Sequence, residues 1–116
     1  MKMSIWGTAN ISDQPEVTLT QWQIFEVSSE HYPDERTCHF CGYNVVDFEG
    51  RVSSKIISFD SKRLVGKTNS GRIYKLEGKS GRNSNASYVW ANFCAHLKAS
   101  AVRDITNEYD PEYTLS

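Results

Sequence analysis

Between Gly50 and Trp90 the sequence reads GRVSSKIISFDSKRLVGKTNSGRIYKLEGKSG and then RNSNASYVW. Apolar and polar residues interleave there as they do in β-strands, and turn residues punctuate the run at short intervals. Val52 to Phe59 reads as one strand, with apolar residues at 52, 56, 57 and 59. Asp60-Ser61-Lys62-Arg63 then supplies a type I turn, Leu64 to Thr68 returns, Asn69-Ser70-Gly71 turns again, and Arg72 to Glu77 forms a further strand. Three strands linked by such short connections make an antiparallel meander, and a meander of this length coils into a small barrel or a strongly curved sheet.

The meander leads directly into a helix. After Gly78 and Gly81 the polar run Arg82-Asn83-Ser84-Asn85 offers capping residues, and Ala86, Val89, Trp90, Phe93, Cys94 and Leu97 form one apolar stripe. The spacing predicts a helix from Asn85 to Lys98, anchored by Trp90, Phe93 and Leu97. Upstream, VTLTQWQIFEV from Val17 to Val27 is rich in β-branched and aromatic residues. Val17 and Leu19 share one parity while Trp22 and Ile24 share the other, which calls for a bulge near Thr20. SSEHYPDERT reads as a solvated acidic loop, Cys38 to Val46 as a strand, and Asp47 to Gly50 as a turn. Ala101 to Tyr109 fits a final edge strand. Residues 1–15 read as a polar arm or short edge strand, and residues 110–116 as a frayed tail.

These elements predict an α+β fold, a curved antiparallel sheet or small barrel of five to six strands with one packed C-terminal helix. At 116 residues, 39% of them hydrophobic and 23% charged, the chain fits a single domain with one core. Its apolar runs fall far short of the roughly 20 residues needed to span a bilayer. The first residues lack the apolar core of a signal peptide, so a cytoplasmic location without membrane partners is expected. Three cysteines, an odd number, do not describe a secreted disulfide framework.

The net charge of −1 conceals a strong asymmetry. Residues 51–82 carry nine basic side chains against Asp60 and Glu77, and the remainder carries four basic side chains against twelve acids. Five cations of the basic segment, Arg51, Lys55, Lys67, Arg72 and Lys75, fall on or beside strand positions with Tyr74 among them. Such a face could hold phosphates and stack bases, as small barrels do. The competing readings are an ordinary solvated face, or a basic sheet covered by the chain's own acidic segments.

Cys38-His39-Phe40-Cys41-Gly42 has the form of a zinc knuckle. A second ligand pair could come only from Cys94 and His96, which project about 200° apart on a helix. A redox dithiol would want a helix N-terminus, whereas these flanks read as strand. Two unlinked thiols, with no metal, are therefore expected. Gly78-Lys79-Ser80 resembles a phosphate-binding loop, but the glycine that such a loop needs five positions earlier is Ile73. His31, His39 and His96 are scattered, and no carboxylate pair, nucleophile triad or cofactor motif can be assembled. The expectation is a non-enzymatic protein without a cofactor.

Through Arg51-Val52-Ser53-Ser54, Gly71-Arg72-Ile73-Tyr74-Lys75-Leu76-Glu77-Gly78 and Tyr88-Val89-Trp90 the chain resembles a group of small uncharacterised bacterial single-domain proteins, over residues 19–107. The resemblance implies one small domain and brings no catalytic residues. Proteins of this size and character are common among prophage and mobile-element cargo, including anti-CRISPR proteins, which mostly act by binding. A protein partner such as a host defence complex is thus the leading expectation, because acidic flanks repel a polyanion and a two-signed surface suits a protein. Nucleic-acid binding by the basic meander is the alternative, and a small zinc-knuckle protein the second.

Overall fold

The computed structural model of the protein describes residues 14–113. Among them, seven strands, one α-helix and one 3-10 turn follow in the order β1 (Glu16–Ser29), β2 (Tyr32–Asn44), β3 (Glu49–Val52), β4 (Ile56–Asp60), β5 (Val65–Thr68), β6 (Ile73–Leu76), α1 (Ser84–Leu97), β7 (Ala99–Asp104) and the turn Thr106–Glu108. The hydrogen-bonded order is β3-β2-β1-β6-β5-β4, with β7 also paired to β1. The class is α+β, as the sequence predicts, with more strands than the five or six expected. The sheet is mixed rather than antiparallel, because β6 runs parallel to the start of β1 while β7 runs antiparallel to its end.

Chain connectivity explains the curvature. β3 and β4 lie at opposite ends of the strand order, yet residues 53–55 alone separate them, a span of at most about 14 Å between Val52 and Ile56. The sheet must therefore coil until its two ends meet, although β3 and β4 do not pair. Val52 to Phe59, read from sequence as one strand, is broken at this corner. Ser53 makes the break: its N–H donates to the Phe40 carbonyl, and its hydroxyl accepts from the Phe40 N–H and donates to the Ser54 carbonyl. Phe59 then lies edge-on to Phe40 at 5.3 Å, bringing β4 over β2.

Two apolar clusters fill the two sides of the coil. Inside lie Val17, Leu19, Trp22, Ile24, Phe40, Tyr74, Leu76 and Ile105. Outside, beneath α1, lie Val27, Cys41, Val52, Ala86, Val89 and Trp90, with Phe25, Phe93 and Leu97 against them. The bulge expected near Thr20 is what keeps Val17, Leu19, Trp22 and Ile24 all inside: pairing with β2 shifts between Thr20 and Gln23, and Gln21 adopts φ 46°. Gly42 sits opposite the bulge, where a Cβ would fit tightly, 3.1 Å from both Leu19 Cβ and the Thr20 carbonyl.

The helix begins at Ser84, one residue before the expected start, where the Asn83 side chain accepts from the Ala86 N–H. Two other expectations change. SSEHYPDERT is not a loop; β1 runs through Ser29, and β2 begins at Tyr32 after a two-residue turn. Residues 30–36 form the exposed end of that hairpin, while Ser28 and Ser29 are buried in it. The tail is tied down as far as Tyr113, whose hydroxyl donates to Asp104 and accepts from Gln23. The expected arm over residues 1–13 and the tail beyond residue 113 lie outside the described residues.

Candidate functional site

The basic residues of the meander do not share one surface. Lys55, Lys67 and Lys75 are exposed, whereas Arg51, Arg72 and Tyr74 are buried. On β6, Tyr74 and Leu76 point into the coil, and Lys75 therefore points out, 3.1 Å from Glu16. Tyr74 is 1% exposed and presents no ring face on which a base could stack. Its hydroxyl instead accepts from Arg51 Nε at 3.3 Å, and the Arg51 guanidinium carbon lies 5.8 Å from its ring centre. Arg51 Nη1 donates to Gln14 Oε1 and Arg72 Nε donates to the Gln14 carbonyl. The two arginines thus hold one residue from both ends.

The zinc-knuckle set is dispersed. Cys38 packs against the inner cluster and Cys41 beneath the helix, as alternation across a strand requires for residues three apart. Cys41 Sγ lies 3.5 Å from the Ala86 carbonyl, Cys94 is half-buried, and His96 is exposed. Burial pushes the Cys41 thiol up to about 12 and the Cys94 thiol up to about 11, and it also raises Cys38, helped by the Glu26 charge. Thiols in this state are protonated near neutral pH and are poor ligands or nucleophiles. Among the described residues no group of three or more His, Cys, Asp and Glu side chains could hold a metal ion.

His39 belongs to the core. Its Nδ1 lies 2.9 Å from the Ser53 carbonyl, so Nδ1 carries the proton and Nε2 accepts from the Thr37 hydroxyl at 2.7 Å. Burial lowers its pKa, and Phe93 covers the ring at 5.0 Å.

The Gly78-Lys79-Ser80 turn borders a cleft of about 560 Å³ shared with Lys62, Asp110 and Tyr113. Trp22 Nε1 donates to the Gly78 carbonyl, and Ser80 donates to Asp110 at 2.6 Å, a bond that holds the Asp110 carboxyl below its ordinary pKa. The turn closes the β6–α1 connection over the inner core. Lys62, Lys79, Asp110 and Glu112 all line the cleft, so it carries no single sign for a ligand.

A surface that sequence reasoning passed over lies in the β2–β3 connection. Val46 is 69% exposed and Phe48 is 79% exposed. Phe48 adopts φ 56°, a left-handed conformation disfavoured for a bulky residue. The loop is held rather than loose. Asn44, fully buried, accepts from the Val46 N–H and donates to Asp47, and Asp47 accepts a second bond from Gln14. Gly50 then seats β3 on the start of α1, where a Cβ would lie 2.3 Å from the Asn85 backbone carbon. The signal available in sequence was Val45-Val46-Asp47-Phe48-Glu49, three apolar residues in a segment that otherwise reads as a turn.

Comparison with protein-family models, with curated proteins and with solved structures finds no match to this chain. No helix among the described residues is long and apolar enough to cross a membrane.

Proposed function

We propose that this protein is a non-catalytic binding module that captures another protein, with Val46 and Phe48 as its principal contacts. The observation that carries the reading is Phe48: an aromatic ring held out into water on a left-handed backbone, in a loop fixed by Asn44, Asp47 and Gln14. Backbone strain of this kind costs about 1–3 kcal/mol and persists where the surroundings impose it, commonly at ligand contacts. A rigid aromatic anchor also loses little entropy on binding. Among the described residues, no cation pairs with Asp47 or Glu49 on either side of the ring. The fitting partner is a protein with an apolar pocket and a basic rim, and a host defence complex is one such candidate. Burial of Arg51, Arg72 and Tyr74 weighs against the nucleic-acid alternative by leaving the exposed lysines without a stacking ring.

The test is affinity purification from the native host, comparing the wild-type chain with the Val46→Ser, Phe48→Ser double variant. A partner enriched by the wild type and absent from the variant is expected. Melting should be nearly unchanged, because surface substitutions of this kind stay within about 0.5 kcal/mol. Equal recovery by both chains, or tight binding of oligonucleotides that disappears in Lys55→Glu, Lys67→Glu, would overturn the reading.

A further inference from the structure

β7 is hydrogen-bonded on one side, to β1, and among the described residues no strand pairs with its other edge. The Ile105 N–H donates to the Ile24 carbonyl, continuing the register that sets Glu26 against Arg103 and Ser28 against Ala101. Backbone groups alternate in direction along an antiparallel strand. Ala101 and Arg103 therefore bond to β1, while the N–H and carbonyl groups of Val102 and Asp104 point away from it. Ser100, Ala101, Val102 and Arg103 are all exposed, so both faces of the strand beside that edge lie in water. Sheets commonly guard such an edge with proline or an outward lysine. Here β7 has neither; its one cation, Arg103, is drawn back onto Glu26 and Glu108, and its middle is the apolar Val102, 45% exposed.

We infer that β7 is the contact edge of a homodimer, pairing antiparallel with the β7 of a second copy about Val102. Side-chain charge selects that register. A two-fold pairing centred on Arg103 or on Asp104 sets like charges directly opposite each other, which destabilises a cross-strand pair. Centred on Ala101, it runs Asp104 past the end of the partner's strand. Centred on Val102, it sets Val102 against the partner's Val102, Arg103 against the partner's Ala101 and Asp104 against the partner's Ser100. No like charges then oppose, the outward backbone groups of Val102 meet their own copies, and the exposed valines cover each other. The contact is isologous, as a two-fold dimer requires, and it joins the two sheets through a shared pair of edge strands. Val46 and Phe48 lie in the β2–β3 connection and take no part in it, so the inference does not rest on the protein partner proposed above.

Sedimentation equilibrium of the full chain, combined with exchange of the Val102 amide followed by NMR, tests it. Reversible dimerisation with a midpoint at or below about 100 µM is expected, with the Val102 amide open to exchange in the monomer and protected in the dimer. Val102→Pro removes the outward N–H without touching a bond to β1 and should weaken the dimer at least roughly tenfold. Should that variant fail to fold, Val102→Lys opposes two cations at the centre and should weaken it likewise. Phe48→Ser should dimerise as the wild type does. A wild-type chain that stays monomeric up to about 1 mM, a dimer unchanged in the folded Val102 variants, or a dimer lost in Phe48→Ser overturns the inference. So does a Val102 amide protected in the monomer, which would place another segment of the same chain on this edge.

Discussion

Truncating Trp90 tests how the helix is held. Its ring is 9% exposed, stacks on Phe25 at 4.5 Å with an interplanar angle of 13°, and meets Phe93 at 5.4 Å. A tryptophan in this position removes about 150–250 Å² from water, which at about 25 cal/mol per Å² corresponds to about 4–6 kcal/mol as an upper bound. Buried aromatic-to-alanine changes cost about 3–5 kcal/mol, and Ala86, Val89 and Leu97 remain to keep α1 on the sheet. Trp90→Ala is therefore expected to lose about 3–4 kcal/mol. With a urea slope of about 1.5 kcal/mol per molar, the midpoint should fall by about 2–3 M. Phe25→Leu and the double variant complete a cycle, in which the stacked pair should show a coupling of about 1 kcal/mol. A loss below about 1 kcal/mol for Trp90→Ala would refute the packing argument.

Gly50→Ala forces a methyl into the backbone of Asn85 and Ala86, so it should destabilise by about 1–3 kcal/mol in the same urea assay; an unchanged midpoint would show that β3 does not seat on α1. Because burial lowers the pKa of His39, the unfolded chain binds a proton near pH 6.5 that the folded chain does not. Stability should accordingly fall as pH drops below about 6.5, toward the lowered folded-state value, and His39→Gln should flatten that dependence in melts between pH 7 and 5. Cys41, raised to about 12, should resist iodoacetamide in the native protein at pH 8, where only about 10⁻⁴ of it is thiolate, and should label fully in denaturant, as peptide mass spectrometry will read.

Much of this fold was legible because burial sets periodicity. The stripe Ala86 to Leu97 gave the helix, and the parity change from Leu19 to Trp22 gave the bulge, since only a bulge keeps both pairs inside the coil. Strand pairing was less legible. Nothing local marks the parallel ladder of β1 with β6, which depends on where the whole meander docks. The polar stretch Ser28 to Thr37 lacked an apolar face, yet it extends a hairpin whose register is fixed further down at Ile24 and Phe40. Ser53 broke an otherwise continuous strand pattern through side-chain bonds that alternation does not reveal.

The basic set failed as a surface for a readable reason. Arg72 and Tyr74 share the parity of Leu76, and an apolar residue on that parity points it inward. Arg51 lies one residue from Val52, so if Val52 faces the helix then Arg51 must face the coil. Charge type alone argued the opposite. The exposed Phe48 was hidden differently: an aromatic residue in a short turn suggests a staple to the core, and the left-handed φ that turns it outward is not encoded by residue type.

The proposed capture of a partner depends most on the Phe48 ring. Once the partner captured from the native host is purified, calorimetric titration of wild-type protein and of Phe48→Ser against it measures the claim directly. An anchor residue contributes at least about 2 kcal/mol, so the account predicts at least about thirtyfold weaker binding by Phe48→Ser. Affinity within about twofold of wild type would contradict it.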